Sequence, residues 1–263
     1  MLLFQKYRTG NHKFNFAYKK DRGLRTTHNE DYILCPEGVL KSLKYQLGHL
    51  FVLCDGVGGA NAGEIASQMT ATWILKDYYS IIQTGDRPLP ELLYDIIIQT
   101  NARVYNLSLK YPLYHGMGTT LVIALLLGNK CYVFSVGDSR LYLFRDGALI
   151  QITEDQSEVW QLFKLGQITK DELRSHPRNN IITMSMGMPE NPTVFRSELD
   201  IIKGDRLILC SDGLTDMVSD DRMKMILEKN HFPKKAVRKF IKEANTNGGK
   251  DNISVICINI LDK

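Results

Sequence analysis

The chain has 263 residues, of which 44% are hydrophobic and 24% are charged, and its net charge is +4. This composition is typical of a folded globular protein and excludes a largely disordered chain. Basic residues concentrate in two segments, 13–25 and 234–242. In the second segment apolar residues recur at helical spacing, so its cations are expected on the solvated face of a packed helix. Because aromatic residues do not alternate with the charges, binding to nucleic acid is not predicted.

The cysteines indicate the cellular compartment. There are five, at positions 35, 54, 131, 210 and 257, and most lie within apolar runs. An odd number of widely spaced cysteines predicts reduced thiols in the core of a cytoplasmic protein. No segment reaches the roughly 18–20 apolar residues that a membrane span requires. The beginning of the chain also lacks the pattern of a secretory leader, so no membrane partner is expected.

Periodicity predicts helices and strands along most of the chain. Apolar residues at helical spacing predict helices over 63–82 and 91–110. Short apolar runs predict strands at 13–18, 32–35, 50–54, 119–127, 130–136, 140–145, 148–153, 193–199, 206–210 and 253–260. Gly128-Asn129 and Asp146-Gly147 are two-residue turns that close hairpins.

The order of these elements predicts the fold class. Strands precede and follow the two helices without regular alternation, which favours an α+β fold over a parallel doubly wound sheet. The simplest packing is a four-layer α-β-β-α sandwich, with two antiparallel sheets face to face and helices on the outer faces. Residues 154–180 are polar and locally helical, and we interpret them as a flap. Without a linker or repeat, a single domain over 1–263 is expected.

Acidic residues follow or precede several apolar strands. The run "FVLC" ends in Asp55 and a glycine-rich stretch, and three further aspartates, Asp138, Asp212 and Asp251, stand at the edges of other strands. Strand ends are rigid and can converge on one cleft. Carboxylates gathered there repel one another unless a cation lies between them. The pattern therefore predicts a metal site.

The type of ligand indicates the type of metal. Aspartates without histidine or cysteine nearby are hard oxygen donors, suited to Mg²⁺ or Mn²⁺ rather than zinc. Gly56 and Gly213, each directly after an aspartate, let the main chain bend tightly, and at Gly56 a carbonyl can approach an ion. The glycines of 56–59 leave room for an ion and a phosphate beside Asp55, and for close packing of the helix that follows.

Each motif alone has a simpler interpretation. An Asp-Gly pair is more often a turn, as at Asp146-Gly147, and "NED" at 29–31 could be a helix cap. "GDSR" at 137–140 alone is most often a polar loop. Their joint occurrence favours the metal site, because several acidic strand ends in one small protein have no stabilising role without a cation.

Taken together, the motifs resemble those of the type 2C metal-dependent protein phosphatases, in particular the compact bacterial serine/threonine phosphatases. The resemblance covers about residues 13–260 and rests on motifs in the family's order: "GLRTTHNED" (23–31), "FVLCDGVGGANAGEIAS" (51–67), "GMGTTLVIALL" (116–126), "YVFSVGDSRLYLFRDGALIQITEDQS" (132–157), "HPRNNIITMSMG" (176–187), "LILCSDGLTDMV" (207–218) and "GGKDNISVICI" (248–258).

This resemblance implies a β-sandwich with a binuclear centre of Mn²⁺ or Mg²⁺ ions at one end. Asp55 would bridge the ions, the Gly56 carbonyl would hold one, and Asp212 and Asp251 would hold the other. Asp138 would contribute to a third, weaker metal site. The implied reaction is direct hydrolysis of a phosphomonoester by a metal-activated water.

Further residues would assist this reaction. Glu30 and Asp31 would anchor waters around the ions, and Arg25 would bind the substrate phosphate. Arg25 lies six positions before Asp31, where the family usually has five, so either the loop bulges by one residue or Arg22 takes this role.

The sequence departs from relatives at other positions too. Gln156 stands where many have histidine, and Met184 where arginine is frequent. Val57 occupies the position where animal members carry a histidine thought to protonate the leaving group, so that proton could come from water.

The expected substrates are phosphoserine and phosphothreonine proteins, with a Hanks-type kinase and its substrates as partners of a monomeric enzyme. None of the cysteines is followed six positions later by arginine, and no phosphate-binding loop of the Walker type is present. Two alternatives remain open: a catalytically weak phosphoprotein-binding regulatory module of the same fold, and a phosphohydrolase acting on small molecules.

Overall fold

The computed structural model describes residues 7–58, 62–81, 86–188 and 190–261. The strands in these ranges are β1 (Tyr7–Thr9), β2 (His12–Asp21), β3 (Tyr32–Leu34), β4 (His49–Cys54), β5 (Gly56–Val57), β6 (Gly118–Thr119), β7 (Leu121–Leu127), β8 (Lys130–Val136), β9 (Arg140–Arg145), β10 (Ala148–Gln151), β11 (Phe195–Asp200), β12 (Arg206–Cys210) and β13 (Ile253–Leu261). The helices are α1 (Lys41–Leu47), α2 (Ala62–Tyr79), α3 (Leu89–Lys110), α4 (Glu158–Lys164), α5 (Asp212–Thr215), α6 (Asp220–Lys229) and α7 (Pro233–Thr246). None of these helices combines the length and apolar character needed to cross a bilayer.

The described strands form two large antiparallel sheets. The first has the order β1-β2-β13-β12-β9-β10 and the second β11-β8-β7-β4-β3, while β5 and β6 form a separate short pair. The hairpin β7-β8 closes with Leu127 opposite Lys130, and β9-β10 with Arg145 opposite Ala148. Asp146 and Gly147 both have positive φ, 49° and 75°, as a two-residue hairpin turn requires. Asp146-Gly147 is therefore the turn that its local sequence predicts.

Alternate residues of the central strands face different layers. In β4, Phe51 and Leu53 pack between the two sheets, whereas Leu50 and Val52 pack under helices α2 and α3. In β12, Leu207 and Leu209 likewise face the other sheet, and Ile208 faces the layer of α6 and α7. Strands buried on both faces have continuous apolar sequences. The predicted α-β-β-α arrangement is confirmed. Its core lies between the two sheets and between each sheet and the helices that cover it.

Most sequence-predicted elements are present with small shifts at their ends. The helices predicted at 63–82 and 91–110 correspond to α2 and α3, although residue 82 lies outside the described residues. The strand predicted at 119–127 is interrupted at Thr120, because the amide of Thr120 donates to the Asp55 carbonyl oxygen, 2.8 Å away. The short strands β1 and β5 and the helices α1, α5 and α6 were not predicted.

A buried histidine lies at one end of the core. The ring of His49 packs edge-on against Phe14, with their centroids 4.7 Å apart, and its Nε2 donates to the Arg8 carbonyl at 2.7 Å. Burial lowers the pKa of His49 from 6.5 to about 4, and nearby Lys44 acts in the same direction. The imidazole is therefore neutral in the folded protein.

This neutral histidine predicts a loss of stability in acid. In the unfolded chain His49 takes up a proton below pH 6.5, whereas the folded protein resists protonation down to about pH 4. The free energy of unfolding should therefore fall by about 3 kcal/mol between these values. A His49→Phe variant should lack this part of the pH dependence, measured by urea unfolding at pH 4.5–7.5 in EDTA. Equal pH slopes in the two proteins would contradict the assignment.

Candidate metal centre

The acidic strand ends meet at one end of the sandwich. Asp31 precedes β3, Asp55 follows β4, Asp212 follows β12 and Asp251 precedes β13. They border or underlie a cavity of about 460 Å³, whose lining includes Arg25, Thr26, Thr27, His28, Glu30, Asp55, Gly56, Val57, Thr120, Asp138, Asn180, Ile182, Asp212, Asp251 and Asn252. Of the residues predicted for the site, only Asp31 is absent from the lining, because it lies beneath it with 1% of its surface exposed.

Main-chain bonds fix the position of Asp55. Its amide donates to Thr120 Oγ1 at 3.0 Å, and its carbonyl accepts from the hydroxyl of Thr119 at 2.8 Å. The next amide, that of Gly56, donates to the carbonyl of Glu30 at 3.2 Å. The Asp55 loop is thus tied both to β6 and β7 and to the acidic segment before β3.

Close main-chain packing explains the glycines around Asp55. A methyl group at Gly56 would overlap the carbonyl of Gly63 and lie 2.8 Å from that of Glu30. A methyl group at Gly63 would in turn overlap the Glu30 carboxylate. The start of α2 therefore packs directly on the Asp55 loop. Gly59, the last glycine of the predicted 56–59 run, lies outside the described residues.

Close main-chain packing at a glycine also occurs on the other side of the cavity. A methyl group at Gly213 would overlap the Asn252 carbonyl, so the turn after β12 packs against the loop before β13. Ser211, at the end of β12, donates to Asp31 Oδ2 at 3.0 Å and accepts from the amide of Ser254 at 2.9 Å. These bonds fix Asp31 beneath the cavity.

Asn252 organises the loop that carries Arg25, a role that the sequence analysis did not identify. Its Oδ1 accepts from the Glu30 amide at 2.7 Å, and its Nδ2 lies within 2.8–2.9 Å of acceptors on Arg22, Thr26 and His28. More than 220 residues separate these partners in sequence. Only the "DN" pair before β13 signals this residue in the sequence.

The carboxylates raise one another's pKa values. Asp55 has a pKa well above its ordinary value, first because it is buried and then because Asp31, Asp212, Asp138 and Asp251 surround it. Asp212 is shifted in the same direction by burial and by the charge of Asp138. The negative charge at this end of the sandwich is thus unfavourable in the absence of cations.

The flanking acids follow the same pattern. Burial raises the pKa of Asp31 to about 6, although the hydrogen bond from Ser211 acts against the shift. Burial and the charge of Asp155 raise the pKa of Asp138 to about 7. The pKa of Glu30 is also raised, by burial and then by Asp251.

A buried ion pair supports the Asp138 loop. Arg140 donates to both carboxylate oxygens of Asp155, with Nη2 2.6 Å from Oδ2, and to the hydroxyl of Tyr142 at 2.9 Å. Tyr142 donates to Asp220, which also pairs with Lys170 of the flap at 3.3 Å. The loop that carries Asp138 is therefore connected to the flap through charged and hydrogen-bonded side chains.

The structure distinguishes the two candidate arginines by position. Arg25 lines the cavity, whereas Arg22 does not, and the Nη1 of Arg22 lies 3.5 Å from the Thr27 carbonyl. The main chain at Arg25 is held by Gly249, whose carbonyl accepts from the amides of Leu24 and Arg25 at 2.8 and 3.3 Å. Asn180, the last residue of the flap, and Ile182 just after it also line the cavity.

The centre is an open pocket rather than a closed cage. Among the described residues, no three His, Cys, Asp or Glu side chains come close enough together to form a ready shell around one ion. The acidic side chains that line the cavity supply only oxygen donors, and Asp212 Oδ1 is buried without a hydrogen-bond partner in the described ranges. Such a pocket fits hydrated Mg²⁺ or Mn²⁺, since Mg²⁺ keeps several waters and takes one or two carboxylates.

Comparisons with known proteins agree with this architecture. Residues 26–251 match the model of the family described as Protein phosphatase 2C. A serine/threonine phosphatase, stp, of Listeria monocytogenes is 34% identical over 244 residues, which covers 92% of this chain and 94% of that protein.

Solved structures extend the agreement to three dimensions. The serine/threonine phosphatase Stp1 of Staphylococcus aureus superposes with a TM-score of 0.84 at 31% identity, covering 97% of this chain and 98% of that one. The catalytic domain of the serine/threonine protein phosphatase PstP, solved in complex with two manganese ions, gives 0.79 at 33% identity, covering 95% and 99%. The predicted resemblance is confirmed: this chain belongs to the protein phosphatase 2C family and is a serine/threonine protein phosphatase of the bacterial type.

Proposed function

We propose that this phosphatase hydrolyses phosphoserine and phosphothreonine esters with water at a centre of two Mn²⁺ or Mg²⁺ ions. The proposal rests on one observation above all: acidic residues from separate strand ends border one cavity and raise the pKa of Asp55. All five cysteines lie in the described part of the chain and none of them lines that cavity, so a thiol nucleophile is not available there. Attack by water needs no covalent intermediate on the protein.

The ligand assignments follow from position in the cavity. Asp55 lines the cavity with Asp138, Asp212 and Asp251 around it, and it would hold both ions. The carbonyl oxygen of Gly56 would provide a further ligand to one ion, and Asp212 and Asp251 would hold the other. Asp138, next to the flap, would serve a third and weaker site. Bound ions would supply an acidified water and offset charge on the phosphate oxygens.

The remaining residues orient water and substrate. Glu30 lines the cavity and Asp31 lies beneath it, so their carboxylates can accept hydrogen bonds from waters at the centre. Arg25 presents a guanidinium without a partner among the described residues, and this group can meet two phosphate oxygens at once. Val57 offers no proton to the leaving group, so water is the proposed source of that proton.

The wider role is also a proposal. We assign residues 1–263 to a single phosphatase domain that acts as a cytoplasmic monomer and opposes a Hanks-type kinase by dephosphorylating its substrates. Five free cysteines, four of them buried, suit a reducing compartment. The 154–180 flap, which includes α4 and borders the cavity, is suited to select among substrates.

Two other functions compete with this one. A regulatory module that binds phosphoproteins without turning them over would not need Asp55, Asp212 and Asp251 together, and all three are present. A phosphohydrolase of small molecules would share the same centre. Rates on a phosphothreonine peptide and on p-nitrophenyl phosphate, each with and without Mn²⁺, separate the three.

The acidic centre predicts opposite effects on stability and activity. Asp55→Asn or Asp212→Asn should abolish turnover, because an ion ligand is lost. The same variants should raise the melting temperature of the metal-free protein by at least about 2 °C, since a destabilising charge is removed. Mn²⁺ should then stabilise them less than the wild type in thermal unfolding. Substantial activity of either variant in Mn²⁺ would contradict the assignment.

Arg25 predicts a specific kinetic change. Arg25→Ala should raise KM for a phosphothreonine peptide about tenfold with a smaller change in kcat, because the guanidinium binds phosphate in the ground state. Arg22→Ala is the matched control and should leave KM within about twofold. An effect of Arg25→Ala on kcat alone would show that this side chain is not the ground-state clamp.

Asn252 predicts a loss of order in the Arg25 loop. Asn252→Ala removes the acceptor of the Glu30 amide and the donors to the loop. We expect kcat/KM to fall at least about tenfold, while Mn²⁺ still raises the melting temperature because Asp55 and Asp212 are intact. Asn252→Asp, which keeps the acceptor but not the donors, should not restore activity. A lower melting temperature with unchanged kcat/KM would refute this positioning role.

A further inference from the structure

A groove lies on the outer face of the first sheet, between its edge and helix α7. It has a volume of about 310 Å³ and is lined by Ala17, Tyr18, Lys19, Lys234, Val237 and Arg238. Ala17 and Val237 also pack in the core layer under α7, so they form an apolar floor. The groove is separate from the catalytic cavity, with which it shares no lining residue.

The rim of the groove is positively charged. Lys234, Arg238 and Lys242 follow one another at four-residue intervals along α7 and therefore share one face of the helix. All three are exposed, and no carboxylate of the described residues pairs with them. Lys19, on the strand side, is half-exposed and 3.5 Å from Asp21. The groove thus presents cations that the fold leaves without a partner.

The stability of α7 does not explain the cation in its first turn, Lys234. The helix begins with Pro233, Lys234 and Lys235, has no acidic residue in its first turn and has no basic residue in its last. Positive charges at a helix N-terminus oppose the helix dipole. Positions at which a natural sequence goes against such local preferences, without a gain in stability, often belong to a functional surface.

We propose that this groove binds an extended acidic segment of the phosphoprotein substrate. The inference rests on the proposed function and adds a class of substrate to it. β2 ends at Asp21, and the chain then runs directly to Arg25 in the catalytic cavity. An acidic segment held beside β2 therefore tethers the phosphorylated residue near the metal centre and raises its effective concentration there.

A peptide fits the groove better than a nucleic acid does. Proteins that bind single strands stack successive bases on several aromatic rings, whereas the lining holds one, Tyr18. The hydroxyl of that tyrosine is already bonded to Glu37, 3.1 Å away. An apolar floor and a row of cations together match an extended peptide with acidic side chains.

The test compares two substrates. One is a short phosphothreonine peptide, and the other is the same peptide joined to a six-residue Asp/Glu segment through a flexible Gly/Ser linker, made with the segment on either side. The variant is Lys234→Glu/Arg238→Glu; both positions are exposed, and glutamate near the start of α7 suits the helix dipole, so folding is preserved. The matched control is Lys76→Glu/Lys110→Glu, with the same charge change on α2 and α3, which cover the other sheet. Lys234→Gln/Arg238→Gln is a milder second variant.

We expect the acidic segment to lower KM in the wild type, and the groove variant to raise KM for that substrate about tenfold. The KM for the short peptide and both kcat values should remain within about twofold. The advantage of the acidic segment should vanish at about 1 M salt, where the Debye length is about 3 Å.

Equal KM values for the two substrates in the wild type would overturn the proposal, as would an equal rise in KM for the acidic substrate in the control variant. So would a single-stranded RNA that displaces an unphosphorylated acidic peptide at the same concentration as unlabelled peptide does. Failure to hydrolyse the short peptide in Mn²⁺ would instead refute the proposed function. Docking would still be measurable in that case, by fluorescence anisotropy of the unphosphorylated acidic peptide.

Discussion

The repulsion among buried carboxylates at one end of the sandwich is the constraint on which the rest of this structure depends. Asp55, Asp138 and Asp212 all have raised pKa values, with burial as the largest cause and neighbouring acids as the next. Stability alone would favour neutral residues at these positions. The fold must therefore hold the acids together at a cost that divalent cations can offset. A site that is unfavourable when empty binds cations strongly, because binding relieves the repulsion.

Such a site needs supports that do not relax. The aspartates stand at the ends of strands whose residues are buried on both faces, so the loops cannot swing apart without disturbing the core. Gly56 and Gly213 bring main chains into direct contact where any side chain would overlap a carbonyl. Asn252 then ties the loop of Arg25 to the segment before β13. The supporting interactions use main-chain groups, which have less freedom to rearrange than long side chains.

The parts of the molecule that the sequence predicted are those with local or repetitive causes. Strands buried on both faces, the Asp146-Gly147 turn and the α2 and α3 periodicities depend on neighbouring residues only. β5 and α1 were missed because they are short and lack such a period. Within the site, the acids follow apolar runs and were visible, whereas Asn252 and Arg140 act through partners distant in sequence or through buried contacts. Which of Arg25 and Arg22 lines the cavity depends on the path of the loop, which spacing alone does not determine.

The distribution of charge separates catalysis from substrate choice. A phosphate group and the metal ions that act on it are common to every substrate, so the acidic cavity alone cannot discriminate strongly among phosphoproteins. Discrimination must come from surfaces that contact residues away from the phosphate, and these contacts lower KM rather than raise kcat. The flap and the groove beside α7 are the two surfaces that we propose for this role, and they are built from different elements. No described carboxylate pairs with the α7 cations of the groove, and one of them, Lys234, lies in the first turn, where the helix dipole disfavours positive charge. This is the pattern expected when a partner, and not the fold, provides the compensating charge.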